Sequence, residues 1–503
     1  MQQTWTRAIA RSVRVALVPG ALACALAGCA VGPNYKPPAP PQVAAYAAQP
    51  LAATAQTDVA GGVAQRFDAG ADLAGDWWTL FHSAPLDALI KDALANNHDL
   101  KAAQAALRVA HENTLAQRGN YFPSVGVDVG ASREHDPGAS LAPVPSNNAF
   151  LYNLFTPQLN ISYAPDVFGL NRRTVESLQA QEQATRFETI ATYTTLTSNV
   201  VVTAVQEAAT RAQIDATRQL IDDDTRMLAL LQYRADKGDA SGLDIAGQQS
   251  QLAQAKATLP PLIKQEAQLR DQLAVLTGRF PSQLPEQQFT LANLQLPGDL
   301  PLSLPSALVQ QRPDIRQAEA NLHAASAQVG IATANRFPNI TLSADKGSTA
   351  LAIGDLFKAG TGFWNIAADI AAPIFEGGTL LHQQRAAKAA YTQAAEEYRG
   401  TVLGAFQNVA DTLAALQQDA DALNAAATAE RAAHTTLDLS QRQLRDGYID
   451  TLALLNAEQS YQQARIALVQ AQADRYADTA ALFQALGGGW WHRVEFAEKN
   501  DGQ

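Results

Sequence analysis

One segment of this chain occurs twice, and this repeat is the strongest constraint on the fold. A helical pattern that opens at Asp99 runs into Phe122-Pro123-Ser124-Val125, and another that opens at Asp314 runs into Phe337-Pro338-Asn339-Ile340. Both pairs of positions are 215 residues apart (314 − 99 and 337 − 122). Solenoid repeats are only about 20 to 50 residues long. The longer period therefore predicts one structure built from two similar halves.

A second pair of matching segments extends the repeat. Lys237-Gly238 followed by Leu243 returns as Asp446-Gly447 followed by Leu452, with a shift of 209 (447 − 238 and 452 − 243). The two shifts are so similar that the halves differ only by small insertions or deletions. The pattern of each half predicts, in order, a helix, strands, a long helix and a shorter helix. The common order predicts an internal duplication.

The beginning of the chain has the pattern of a secretory signal. Residues 1–14 carry three arginines and no acidic residue, and residues 13–27 are mostly apolar. This pattern is typical of a signal peptide (1–28) rather than a transmembrane helix. Its ending, Leu26-Ala27-Gly28-Cys29, resembles a bacterial lipobox with lipid on Cys29, although an ordinary signal peptide with an incidental Cys is the alternative. Ala30 rather than Asp follows, which favours the outer membrane.

Composition and motifs exclude several classes of protein. Without the signal region the formal charge is −14 (37 − 3 − 48), which argues against a nucleic-acid partner because such proteins need a basic surface. Cys24 leaves with the signal and Cys29 is the expected lipid site, so no disulfide is expected within one chain. No nucleotide-binding, hydrolase or metal-binding motif is present. We therefore expect no enzymatic activity, no metal and no cofactor.

Residues 121–165 change from a helical period to alternation, and residues 339–343 and 365–370 repeat this pattern in the second half. Segments of about ten alternating residues are typical of transmembrane β-barrel strands; soluble hairpins packed on the helices are the alternative. The residues expected on the lipid face are Val125, Val127, Leu159, Ile161, Ile340, Leu342 and Ile366. Those expected to face the lumen are Asn160, Ser162 and Asn365.

The remaining segments predict unusually long helices. Residues 174–236 contain no Pro and no Gly, and at a rise of 1.5 Å per residue they would form a helix about 95 Å long. A helix of that length must lie in a coiled coil or a tube. The full set of predicted helices is 85–120, 174–236, 242–277, 305–336, 379–446 and 451–486.

The number of strands predicts an oligomer. Four strands per chain cannot close a barrel, since even small barrels need about eight. Open edges cannot lie in lipid, because their backbone groups would have no hydrogen-bond partners. Two chains would supply eight strands and three would supply twelve, and neither number is favoured by the sequence alone.

Six short motifs occur in order and together resemble a known family. They are Leu26-Ala27-Gly28-Cys29, Trp77-Trp78-Thr79-Leu80-Phe81, Asn97-His98-Asp99-Leu100, Arg312-Pro313-Asp314-Ile315, Pro373-Ile374-Phe375-Glu376-Gly377-Gly378 and Ala485-Leu486-Gly487-Gly488-Gly489-Trp490. The chain resembles the TolC-like outer membrane factor family, in particular the NodT-type lipoproteins of resistance–nodulation–division efflux pumps. The resemblance extends from Cys29 to Trp491.

This resemblance implies both a fold and a function. The fold would be a mixed α+β membrane protein: a trimer with a twelve-stranded transmembrane β-barrel, four strands per chain, continuous with a long periplasmic α-helical barrel. The function would be a passive exit duct for small molecules. Its partners would be a periplasmic membrane-fusion adaptor, an inner-membrane transporter and outer-membrane lipid. The alternatives are a non-channel scaffold lipoprotein, or a duct for protein or polysaccharide.

The resemblance also divides the chain into segments. Equatorial pieces are expected at about 43–83, 279–304 and 487–503. The expected divisions are a signal peptide (1–28), a lipid-anchored tether with an N-terminal equatorial segment (29–83), a first repeat (84–278), an equatorial linker (279–304), a second repeat (305–486) and a C-terminal equatorial segment (487–503).

By position, four residues match the periplasmic gate of the family. Leu452 matches an apolar ring, Asn456 lies where relatives often carry Asp, and Gln459 lies where some carry a basic residue. Asp244 lies where a gate Asp can occur, and its alternative role is that of a carboxylate stabilised by the dipole at a helix N-terminus. The run Asp222-Asp223-Asp224 is interpreted as a solvated helix face.

The helical turns are the expected sites of adaptor docking. Each long helix reverses at a glycine after running far enough to reach deep into the periplasm. The expected docking residues are Lys237, Gly238, Asp239, Gly447 and Tyr448.

Overall fold

The computed structural model describes residues 30–43, 45–46, 53–135, 151–283 and 290–496. The signal peptide and Cys29 lie outside these residues. The described chain divides into two compact units, each drawing on both sequence halves. The first comprises residues up to Pro38 with Arg108–Ala184 and Glu319–Glu397, and the second comprises Ala39–Leu107, Thr185–Ala318 and the residues from Tyr398 onward.

The predicted long helices are confirmed, and the two halves contain helices of matching length. In chain order the helices are α1 (Ala84–Asn96), α2 (His98–Arg118), α3 (Leu170–Asp236), α4 (Gly242–Leu276), α5 (Pro305–Gln311), α6 (Pro313–Ala334), α7 (Thr379–Arg445) and α8 (Thr451–Ala485). α3 and α7 both have 67 residues, and α4 and α8 both have 35. Among the described helices, none is long and apolar enough to cross a membrane.

Two segments that the sequence predicts as single helices are each divided into two helices in the structure. Residues 85–120 break at Asn97, whose side-chain oxygen accepts a hydrogen bond from the Leu100 amide at 2.9 Å and so caps the start of α2. Residues 305–336 break at Arg312, which has extended backbone angles of φ −81° and ψ 122°. The ring of Pro313 disfavours a helical conformation in the residue before it.

Four of the six described strands lie where the alternation predicts them, and the two short strands were not predicted. The six strands are β1 (Arg66–Ala69), β2 (Ser124–His135), β3 (Leu151–Tyr163), β4 (Asp299–Leu302), β5 (Asn339–Ser348) and β6 (Gly362–Ala371). In the first unit a four-stranded sheet has the order β2-β3-β5-β6, with every neighbouring pair antiparallel. In the second unit β1 and β4 form a parallel pair.

An aromatic core holds together the second unit. Trp77 and Phe81 are fully buried, and the ring of Trp77 lies 5.4 Å from the ring of Phe483 on α8. The three stretches expected to be equatorial also meet here. Residues 66–69 pair with residues 299–302 through β1 and β4, and the Trp491 indole donates to the Asp72 carboxylate at 3.0 Å.

The described start of the chain is docked on the first unit, although the sequence suggested a free tether. The Val31 amide donates to the Phe168 carbonyl at 3.2 Å. The buried guanidinium of Arg173 donates to the carbonyls of Val31 and Gly32 and, at 2.8 Å, to the side chain of Asn34. A buried arginine with this many acceptors fixes the backbone that it contacts.

Candidate channel faces and helical tips

The strand register divides the four-stranded sheet into an apolar and a polar face. Directly paired residues of neighbouring strands project to the same face. One row that crosses all four strands consists of Val125, Ile161, Ala344 and Ile366. The next row, on the opposite face, consists of Gly126, Asn160, Asp345 and Asn365. The predicted division into two faces is thus confirmed for every strand.

The apolar face is open rather than packed on helices. Val127 is 72% exposed and Ile366 is 74% exposed in the single chain. A soluble protein seldom exposes contiguous apolar rows of this kind, so the interpretation as soluble packed hairpins is disfavoured. The polar face carries its own hydrogen bond between the Asn160 amide and the Asp128 carboxylate.

Lys346, a charged residue of β5, lies on the apolar face, and the sequence reasoning missed it. Lys346 pairs with Leu159 on one side and with Trp364 on the other. It is two residues from the end of β5 at Ser348. A lysine stem can follow apolar surface while its ammonium reaches water. The alternation of β5 alone could have shown this position, because Lys346 is in phase with Ile340.

Both helical turns use the same backbone motif. At the first tip (236–241) the Asp239 amide donates to the Arg234 carbonyl at 2.9 Å, and at the second tip (445–451) the Tyr448 amide donates to the Gln443 carbonyl at 2.8 Å. Gly238 and Gly447 have positive φ angles of 84° and 78°. This is the Schellman ending of a helix, which requires a left-handed residue. The five expected docking residues are all exposed.

Asp244 is engaged as a helix cap at the first tip. Its carboxylate accepts from the Ser241 amide at 2.9 Å and from the Ser241 hydroxyl at 2.7 Å. The Ser241 hydroxyl in turn accepts from the Asp244 amide, which completes a capping box. The hydrogen bond from the Ser241 side chain is the main cause that lowers the pKa of Asp244. These contacts match its alternative role as a helix-terminal carboxylate, and its role in a gate stays a prediction.

The other three expected gate residues share one exposed face of α8. Leu452, Asn456 and Gln459 are all exposed, and spacings of four and three residues place side chains on one side of a helix. Leu452 itself is 63% exposed. The sequence reasoning missed Leu243, which is 83% exposed. The shift of 209 makes Leu243 the counterpart of Leu452 in the first half.

The interpretation of the three consecutive aspartates as a solvated face is wrong for one of them. Asp222 and Asp223 pair with Arg226 at the surface, whereas Asp224 is fully buried. The Gln248 side-chain amide on α4 donates to the Asp224 carboxylate at 3.1 Å. The carboxyl of Glu458 on α8 is 5% exposed and lies close enough to Asp224 for each carboxyl to shift the pKa of the other. Three helices therefore contribute to one buried polar cluster near the tips.

The described residues contain no group of three His, Cys, Asp or Glu side chains that could hold a metal ion. The features that the structure does bring together are a two-faced sheet, two helical tips and exposed side chains beside them. Such surfaces can guide and restrict passage of a solute, and they match a channel better than a catalytic centre.

Comparison with known proteins identifies the family. The model of the family described as outer membrane efflux protein matches residues 89–279 and 304–488. The pyoverdine export outer membrane protein OpmQ of Pseudomonas aeruginosa is 31% identical over 417 residues, which are 82% of this chain and 87% of that protein. The probable efflux pump outer membrane protein TtgC of Pseudomonas putida is 29% identical over 478 residues, covering 93% and 94% of the two chains.

Comparison with solved structures supports the same family. The solved structure of the outer-membrane channel OprN has a TM-score of 0.80 at 26% identity, covering 92% of this chain and all of that one. The chain belongs to the outer membrane efflux protein family. It is an outer membrane channel that serves as the exit duct of an efflux pump in a Gram-negative bacterium, with a tunnel in the periplasm.

The two sheet faces predict opposite effects of an introduced charge. Ile161→Arg places a charge on the apolar face, where a mid-membrane arginine costs roughly 2–4 kcal/mol in known barrels. Asn160→Arg, one residue away, is the matched control, because it faces the carboxylates of Asp128 and Asp345. We expect urea titration of protein folded in lipid vesicles to show a large loss of stability for Ile161→Arg only. Equal losses in both variants would contradict the assigned faces.

Proposed function

We propose that three copies of this chain close one twelve-stranded barrel, each copy supplying its four-stranded sheet. Within the described residues, β2 pairs only with β3, and β6 pairs only with β5. Each copy would therefore bring two free edges, which lipid does not tolerate because it cannot hydrogen-bond to them. Pairing β2 of one copy with β6 of the next would satisfy both edges. The apolar face would then contact lipid, and the polar face would line a water-filled lumen.

The proposed tunnel consists of the long helices. Three copies of α3 and α7 would give six long helices around one lumen, and α2, α4, α6 and α8 would lie beside them. The matched lengths of α3 with α7 and α4 with α8 support an internal duplication, in which 84–278 and 305–486 are the two repeats. Residues 43–83, 279–304 and 487–503 would form a collar around the helices.

The proposed partners follow from the exposed tips. Each tip ends a helix of 67 residues, which at 1.5 Å per residue reaches about 100 Å. We propose that a periplasmic adaptor docks there and joins the duct to an inner-membrane transporter of the resistance–nodulation–division type. The substrates would be small molecules, in line with the names of two relatives, the pyoverdine export protein OpmQ and the efflux pump protein TtgC. A duct for protein or polysaccharide is the alternative.

We also propose that lipid on Cys29 anchors the chain. The lipobox-like residues 26–29 directly precede Ala30. A Cβ added to Gly169, which follows β3, would lie 2.7 Å from Ala30. The anchor would therefore leave the protein close to the end of a strand, where acyl chains can enter the same membrane as the sheet. Lys346 and Trp364, a pair typical of a membrane boundary, would lie near the other end of the strands.

The oligomeric state tests the barrel. We expect native mass measurement in mild detergent to give three chains, because three sheets close a barrel with a lumen wide enough for solutes. A stable folded monomer would overturn the barrel, whereas a dimer would overturn only the number of strands.

Loss of the cysteine tests the anchor. We expect Cys29→Ser to lose all label from radioactive palmitate, since the sulfur is the proposed attachment point. The variant should still reach the membrane, because closure of the sheet does not depend on the lipid. Persistent labelling would mean that the lipid lies elsewhere.

Substitution of two leucines tests the gate. Leu452→Ala should raise the conductance of the channel in planar bilayers, because a ring of exposed apolar side chains excludes hydrated ions, and it should leave stability unchanged. Leu454→Ala is the control, since Leu454 is fully buried on the same helix, and it should instead lower stability by about 2–5 kcal/mol through a cavity. Unchanged conductance of Leu452→Ala together with lowered stability would make Leu452 an ordinary packing residue.

A further inference from the structure

We propose that the buried carboxyl pair Asp224–Glu458 shares one proton, and that this proton locks the first turns of α8 against α3 and α4. Loss of the proton would release the lock and favour opening of the second tip. The inference rests on the proposed gate on α8, whose regulation it describes.

The geometry places the two acids where water cannot solvate both. Asp224 and Gln248 are 0% exposed, and Glu458 is 5% exposed. The Gln248 amide donates to both the carboxylate and the backbone carbonyl of Asp224, at 3.1 and 3.2 Å. One side-chain oxygen each of Asp224, Gln248 and Glu458 is buried without a hydrogen-bond partner. A proton between the two carboxyls is the simplest way to satisfy them.

The charges around the pair do not neutralise it. On α3 the neighbouring acid is Asp223, whose negative charge acts on both Asp224 and Glu458. α4 contributes the neutral Gln248. The side chains of His434 and Asp438 on α7, and of Tyr461 and Arg465 on α8, line the cavity that Glu458 also borders. None of these is a cation paired with either acid, and the cavity gives Glu458 a route for proton exchange.

Burial makes the ionised pair costly. Burial, followed by the negative charges of Asp224 and Asp223, raises the pKa of Glu458 to about 7. Burial also raises the pKa of Asp224, while hydrogen bonds from Gln248 and Glu458 oppose that shift. A raised pKa of an acid contributes stability that is complete below its ordinary value of 4.5 and is lost as the pH rises through about 7. Two adjacent buried carboxylates would then repel each other.

The lock acts close to the proposed gate. Leu452 precedes Glu458 by six residues, which is about 9 Å along a helix. Glu458 lies on the buried side of α8, and Leu452 and Asn456 lie on the exposed side. Because both sides belong to the same two turns, repulsion between Glu458 and Asp224 would move the gate residues along with the helix.

Conductance against pH tests the lock. We expect the bilayer conductance of the wild-type channel to rise from mildly acidic to mildly alkaline pH, with a midpoint near pH 7. Glu458→Gln keeps the hydrogen bond of the protonated acid and cannot ionise, so its conductance should stay low and independent of pH. Asp224→Asn should also remove the pH dependence. Asp438→Asn is the matched control, since Asp438 borders the same cavity but is only half-buried and is paired with Arg442.

Amide hydrogen exchange provides a readout that needs no pore. At alkaline pH, after correction for intrinsic rates, wild-type amides of residues 451–458 should lose protection, and those of Glu458→Gln should keep it. A wild-type pH response that persists unchanged in Glu458→Gln, in both measurements, would overturn the lock and leave the duct intact. Absence of any pore would overturn the duct, while the exchange result would still decide about the lock.

Discussion

The hydrogen-bonding needs of the backbone at the edges of the sheet determine most of this architecture. A four-stranded sheet with an exposed apolar face is suited to lipid, yet its outer strands β2 and β6 carry backbone groups that lipid cannot satisfy. In the proposed assembly, association of several chains resolves this conflict, so that oligomerisation would be part of the fold itself. β3 continues through a short connection into α3, and β6 continues likewise into α7. The long helices would therefore share the symmetry of the proposed closed sheet.

The proposed duplication would explain how one chain supplies two long helical hairpins of equal length. The Schellman endings at Gly238 and Gly447 use the same donors and acceptors after a shift of 209 residues. A positive φ at one position is enough to end a helix of 67 residues and reverse it. The same glycine-containing turn therefore ends both long helices. The residues along the two hairpins need not be identical for the hairpins to have equal length.

Periodic features could be predicted from the sequence, and features that depend on single tertiary contacts could not. The alternation in β2, β3, β5 and β6 directly predicts which residues lie on each face of the sheet. The absence of Pro and Gly predicts the long helix α3. The break at Asn97 depends on a cap that a helical pattern hides, since Asn also occurs inside helices. The burial of Asp224 depends on Gln248, which is 24 residues away. The docking of the N-terminal segment depends likewise on the distant Arg173.

The two halves have diverged where regulation is proposed. With the shift of 209 residues, the position equivalent to Asp224 in the other half is Ala433. The position equivalent to Glu458 is Gln249, and the position equivalent to Gln248 is Ala457. The counterpart positions therefore carry no acid. The start of α4 is held by the capping box of Ser241 and Asp244, and the start of α8 is held by the Asp450 carboxylate, which accepts from the Ala453 amide at 2.9 Å. A capping box holds a helix start at any pH at which its Asp is ionised, whereas a shared proton is lost near neutrality. In the proposed lock, the pH would therefore act on the second tip, through Glu458, and leave the capped start of α4 at the first tip unchanged.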